Sequence, residues 1–154
     1  MQCSLVITEP TLMAVVRYRG WAIEVGRAFE HLVYWAEINH LESWGPLVGV
    51  YEDAPEGAPE VWAEAWMPLS PAALGMDPAD ADVVVKEVPA ETVARCTYHG
   101  FPDELASAIA VLFAWMDEQD LQRTDPMHRQ VYHETPPGQP GAWVVEIQVP
   151  VRPA

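Results

Sequence analysis

The sequence predicts an α+β fold in which a βαββ unit occurs twice, building one curved antiparallel sheet with two helices on one face and a cleft on the other. Three observations predict it. First, the chain repeats itself: "MAVVRYRGW" (13–21) matches "VARCTYHGF" (93–101) at an offset of 80, "VYEDAP" (50–55) matches "VYHETP" (131–136) at 81, and "AEAWMPL" (63–69) matches "VEIQVPV" (145–151) at 82. Blocks in the same order, with the offset drifting by one residue at each loop, are an internal duplication, and so long a period means two half-domains rather than a solenoid. Second, one stretch in each half carries apolar residues at helical spacing. Third, runs of β-branched and aromatic residues flank turn-rich segments.

The elements follow in order. Residues 12–19 read as a strand ending at Gly20. From Ala22 to Leu41, Val25, Ala28, Phe29, Leu32, Trp35 and Ala36 form a helical stripe, which "WGP" (44–46) stops. "LVGVY" (47–51) and "VWAEAWM" (61–67) are strands around the turn-rich "EDAPEGAPE" (52–60). The linker "SPAALGMDPADAD" (70–82) leads to a strand at 91–98. "GFPD" then opens a second helix, with Pro102 and two early acids suited to a helix start. Its stripe is Leu105, Ala108, Ile109, Leu112, Trp115 and Met116, and strands near 127–133 and 142–149 flank "ETPPGQPG" (134–141). The expectation is a single domain over 1–154 with half-repeats at about 5–70 and 83–151. A pseudo-twofold axis should bring the last strands of the two halves together, with the concavity at that axis.

Half of the 154 residues are hydrophobic, enough for a sizeable core and against a disordered tail. Eight basic against twenty-three acidic residues give 8 − 23 = −15, which repels a phosphate backbone and argues against nucleic-acid binding. The charge favours cationic partners or simply solubility. Cys3 and Cys96 stand alone, without CxxC spacing or a disulfide framework, which suits a reducing cytosol. No basic n-region with an apolar run opens the chain, and no stretch approaches membrane-spanning length, so a cytoplasmic protein with no membrane contact is expected. His31, His40, His99, His128 and His133 form no metal pattern, and no phosphate-cradling loop or nucleophile elbow occurs. No metal or cofactor is expected, and nothing in the sequence speaks to oligomeric state.

The candidate site starts from "EVWAEAWMPLS" (60–70), where Trp62, Glu64 and Trp66 share one face of a strand while Ala63, Ala65 and Met67 face the helices. In "AWVVEIQVPV", Trp143, Val145, Ile147 and Val149 alternate toward the helices, leaving Glu146 on the same open face as its repeat partner Glu64. A carboxylate among rings in a half-dry cleft loses hydration, so its charged form is disfavoured until a cation arrives. Indole faces add cation–π attraction of roughly 0.5–2 kcal/mol. The plain alternative is two solvent-facing strand glutamates. Tyr51 and Tyr132 are repeat equivalents whose phenols point either into the cleft or into the core. Trp44, before "GP", is a rim residue, and Trp35 and Trp115 belong to the core.

With "AVVRYRG", "GPLVGVYEDAP", "ARCTYHG" and "WVVEIQVPV" in this order, the chain from about Leu5 to Val151 resembles the GyrI-like family, the effector-binding domains of AraC-type and MerR-type multidrug regulators. The resemblance implies two βαββ halves around a cleft for lipophilic cations, with a glutamate of the last strand as charge partner; Glu146 occupies that position. No helix-turn-helix head is visible, so a stand-alone binder of a lipophilic, cationic, aromatic small molecule is expected, for sensing or sequestration without turnover. The family also implies an alternative, a hydrolase of cyclopropane-bearing or other electrophilic aromatic compounds. Glu64 or Glu146 would there hold a water as general base, and Tyr51 or Tyr132 would donate to the developing oxygen. A third reading is a protein-interaction module such as a gyrase inhibitor.

Overall fold

The computed structural model describes residues 1–53, 58–134 and 142–154. Its strands are β1 (Cys3–Ile7), β2 (Thr11–Trp21), β3 (Leu47–Glu52), β4 (Glu60–Leu69), β5 (Val83–Val88), β6 (Thr92–Gly100), β7 (Leu121–Arg123), β8 (Met127–Glu134) and β9 (Trp143–Pro153), and its helices are α1 (Gly26–Ile38) and α2 (Leu105–Glu118). The turn-rich residues 54–57 and 135–141 lie outside the described residues. The strands form one sheet in the order β1-β6-β9-β8-β3-β4-β2-β5, with β7 added along β9. The duplicated α+β fold is therefore present, with both halves in a single sheet.

Two features differ from the sequence expectation. β1, β5 and β7 are strands that the sequence pattern does not predict, and the first two join the opposite halves: β1 pairs with β6, and β5 pairs with β2. β1 and β5 carry only the short apolar runs LVI and VVV, and their partners are non-local. The strands meeting at the pseudo-twofold axis are β3 and β8, not the last strands β4 and β9. Each last strand is sandwiched inside its own half, between β3 and β2 or between β8 and β6.

Both helices lie on one face because their stripes match the apolar alternation beneath them. α1 buries Ala28, Phe29, Leu32, Trp35 and Ala36, and α2 buries Ala108, Leu112 and Met116. They join one core with Ala14, Val16, Ala65 and Met67 of the first half and Ala94, Cys96, Val145, Ile147 and Val149 of the second. Each Val, Ile, Leu, Phe or Met among them contributes about 1.5–3 kcal/mol when fully buried. The interhalf linker is tied onto α1, where Trp35 Nε1 donates to the Pro78 carbonyl at 2.8 Å and His31 pairs with Asp80 at 2.8 Å.

The repeated "YRGW" and "YHGF" gain a local reason. Tyr18 donates its hydroxyl to the Trp21 carbonyl, and Tyr98 donates to the carbonyl of Phe101. Each ring folds over the glycine two residues on. A Cβ at Gly100 would lie 2.6 Å from the Tyr98 hydroxyl, and its φ of 154° is rarely adopted by other residues. The opposite face of the sheet carries a smaller cluster of Met13, Val15, Val48, Val50, Trp66 and Val88, and among the described residues no helix packs on it.

Candidate functional site

Strand register arranges the open face in two rows that the pseudo-twofold interchanges. One row runs Thr97, Glu146, Val131, Val48, Trp66 and Val15; the next runs Arg95, Gln148, Arg129, Val50, Glu64 and Arg17. Repeat offsets map each residue of one row onto a residue of the other. Glu146 thus stands where Glu64 stands in the other half, but the two are three strands apart, roughly 14 Å at ordinary strand spacing.

A cavity of about 410 Å³ lies over this face. Its floor is Val48, Trp66, Val131, Arg129, Glu146 and Gln148; Val6–Glu9 wall one side, and Trp44, Gly45 and Pro46 form the rim. Trp44 is 65% exposed and anchored by its backbone N–H, which donates to the Pro68 carbonyl at 2.9 Å. Trp66 is 5% exposed, a wall rather than a flap. Another depression, of about 460 Å³ at the β5 edge, takes in none of the predicted site residues.

Neither glutamate waits uncompensated. Arg95 Nη1 lies 3.2 Å from Glu146 Oε1, the Gln148 amide donates to Oε2, and His133 Nε2, at a β-bulge, is 3.5 Å from Oε1. Glu64 accepts from Trp66 Nε1 at 2.8 Å, with Lys86 Nζ at 3.6 Å and Arg17 Nε at 3.7 Å. The chain's own cations also use the indole: Arg129 and Lys86 each sit 5.1 Å from the centroid of Trp66. Arg129 is buried and held by Glu91 at 2.7 Å. Sequence reasoning missed Arg95 and Arg129. The repeat carries their signal, because offsets of 80 and 81 set them opposite Val15 and Val48, placing arginine where the other half is apolar.

Of the predicted site residues, the structure brings Glu146, Trp66 and Trp44 to the cavity. Glu64 is on the same face but outside the lining, drawn toward Arg17 and Lys86. Trp62 is also outside it, 46% exposed at the far end of β4 beneath Arg19.

Tyr51 and Tyr132 require a correction: they occupy the helix face. Their residue parity opposes that of Val50 and Val131, so their phenols point under α1, where Phe29 meets Tyr132 edge-on. They cannot donate to a group bound at Glu146 on the other side of the sheet, and the hydrolase reading loses its proposed acid.

These phenols begin a buried polar chain. The two hydroxyls are 2.5 Å apart, Tyr132 donates to Gln130 Oε1 at 2.9 Å, Gln130 Nε2 is 3.1 Å from His128 Nε2, and His128 Nδ1 is 3.3 Å from Asp53 Oδ1. Tyr51 therefore donates to Tyr132, and a neutral His128 protonated on Nδ1 donates to Asp53. Burial pushes Tyr51 up to about 12 and Tyr132 well above its ordinary value. Burial also lowers His128, against the pull of Asp53. Unfolding then takes up a proton below the ordinary histidine pKa of about 6.5, so stability present above that pH is lost as pH falls toward the folded value. Thermal melts stepped from about pH 7.5 to about pH 5 should show a falling Tm, with a shallower fall in His128→Gln; parallel curves would mean that His128 does not titrate with unfolding.

Among the described residues one group has metal-ligand donors within 4.8 Å of one another, His31, Asp80 and Asp82, on the α1 side away from the cavity. No helix among them is long and apolar enough to cross a membrane.

The GyrI-like small molecule binding domain family matches residues 1–152. No curated protein matches the chain. Among solved structures, the EcmrR C-terminal domain is similar at 15% identity over 99% of this chain and 98% of its own, with a TM-score of 0.79. A hydrolase from Listeria innocua is similar at 12% identity over 98% and 92%, with a TM-score of 0.67. SAV2435, solved bound to tetraphenylphosphonium, is similar at 12% identity over 99% and 94%, with a TM-score of 0.65. At these identities the structures share a fold.

Proposed function

This chain belongs to the GyrI-like family of small-molecule-binding domains, and we propose that it binds a lipophilic aromatic cation in the open-face cavity, for sensing or sequestration rather than turnover. The observation that carries this reading is Glu146, whose side chain is 12% exposed on the cavity floor, in one residue row with the indole of Trp66. The ligand's charge takes the place of Arg95 and His133 beside the carboxylate, while its rings lie between Trp44 and the apolar floor of Val48 and Val131. Displacing Arg95 returns a partly exposed guanidinium to water, so the exchange costs less than uncovering a buried charge. Cation–π contact adds roughly 0.5–2 kcal/mol, and micromolar affinity, about −8 kcal/mol, is expected. The fold shared with SAV2435, which was solved with an aromatic cation, supports the choice of ligand class.

Tetraphenylphosphonium titrated against intrinsic tryptophan fluorescence tests the reading. Saturable quenching in the micromolar range is expected, much reduced in Trp44→Phe, with the ligand recovered at unchanged mass. Absence of saturable quenching by this or by a planar aromatic cation would end it.

A further inference from the structure

The chain's two cysteines are 93 positions apart, from Cys3 to Cys96, yet strand exchange sets them directly opposite each other in the β1–β6 register. Both are free, Cys96 buried and Cys3 partly exposed. Opposed residues on antiparallel strands have Cα atoms about 4.5–5.5 Å apart and side chains on one face, within the span a disulfide bridges. A surface depression at the sheet edge, lined by Cys3, Ser4, Arg95, Cys96 and His99 among others, opens onto the pair. The far end of β1 is already fastened, because the Thr8 hydroxyl and backbone exchange hydrogen bonds with the backbone of Glu91. Val6–Glu9, at that same end, wall the open-face cavity.

We propose that Cys3 and Cys96 form a thiol–disulfide exchange site whose reactant is a low-molecular-weight disulfide, and that the bridge clamps the free end of the exchanged strand β1 onto β6. The inference does not depend on what the cavity binds. The Cys3 thiolate attacks one sulfur of the small disulfide, forming a mixed disulfide and releasing one small thiolate. Cys96 then gives its proton to water and attacks Cys3 Sγ, expelling the second small thiolate. The protein loses two electrons and two protons, and the small disulfide is reduced to two thiols. Burial raises both protein thiols above their ordinary value, so closure is slow and needs sustained oxidising conditions. Cys3, the more exposed, meets the reactant first.

The test incubates the full chain with oxidised glutathione and reads intact mass, a non-reducing peptide map and Tm. The expected product is a monomer lighter by two hydrogens, with Cys3 linked to Cys96 and reversed by dithiothreitol. Closing a loop of roughly ninety residues should raise Tm by roughly 10 °C. Cys96→Ser, lacking the resolving thiol, should instead retain one glutathione on Cys3, and Cys3→Ser should stay unmodified. A wild-type chain that remains reduced, keeps glutathione as its stable product or links two copies would overturn the proposal.

Discussion

Replacing Trp66 by Ala is expected to cost about 3–5 kcal/mol of stability, the range for truncating a buried aromatic, and to remove binding of aromatic cations. Trp66 is 5% exposed and is the largest side chain of the open-face cluster, against Met13, Val15, Val48, Val50 and Val88. Its loss also leaves Glu64 without the indole N–H and Arg129 and Lys86 without the ring beneath them. Trp62→Ala is the matched control on the same strand and face. Its ring is about half exposed and outside the cavity, so it should cost under about 1 kcal/mol and change binding little. Urea unfolding of both variants checks the pair. Equal losses would mean that the open face is not divided as the cavity divides it.

The second large effect tests the duplication itself. Leu32 and Leu112 are repeat equivalents at an offset of 80, both 0% exposed, on α1 and α2. Leu112→Ala should cost about 2–5 kcal/mol, and Leu32→Ala a similar amount, because each leaves a cavity under a helix that its close-packed surroundings fill only partly. Since one sheet and one core join the halves, unfolding should stay a single transition in both variants. A variant that melted in two steps, or lost under about 1 kcal/mol, would contradict the shared core.

The sequence made the repeated, locally patterned features legible. Helical stripes placed Leu32 and Leu112 inward, and alternation in 60–70 and 142–151 set Trp66 and Glu146 opposite Ala65 and Ile147, as the two clusters show. What it left obscure depends on partners far along the chain. β1 and β5 become strands by pairing with β6 and β2 of the opposite halves, a choice that no local pattern encodes. Tyr51 and Tyr132 were ambiguous because both faces of β3 are apolar while both faces of β8 carry polar residues, His128 and Gln130 on one and Arg129 on the other, so alternation alone does not tell the core side from the open side. The distance between Glu64 and Glu146 followed from strand order. Arg95 and Arg129 complete the cavity's electrostatics through contacts that only register reveals.

Glu146 reads positive charge in the proposed site, and reversing the ligand's charge at constant shape separates that role from simple packing. Calorimetric titration of tetraphenylphosphonium and tetraphenylborate, ions of the same outline and opposite charge, is carried out on the wild-type chain and on Glu146→Gln. Glutamine keeps the shape and removes the charge, so Arg95 loses its carboxylate partner before the ligand arrives. The cation should lose roughly 5–150-fold in affinity, equivalent to about 1–3 kcal/mol of through-space attraction between unit charges about 6 Å apart in a partly screened site, and the anion should bind as well or better. Equal losses for both ions, or no change for either, would mean that Glu146 does not read the ligand's charge.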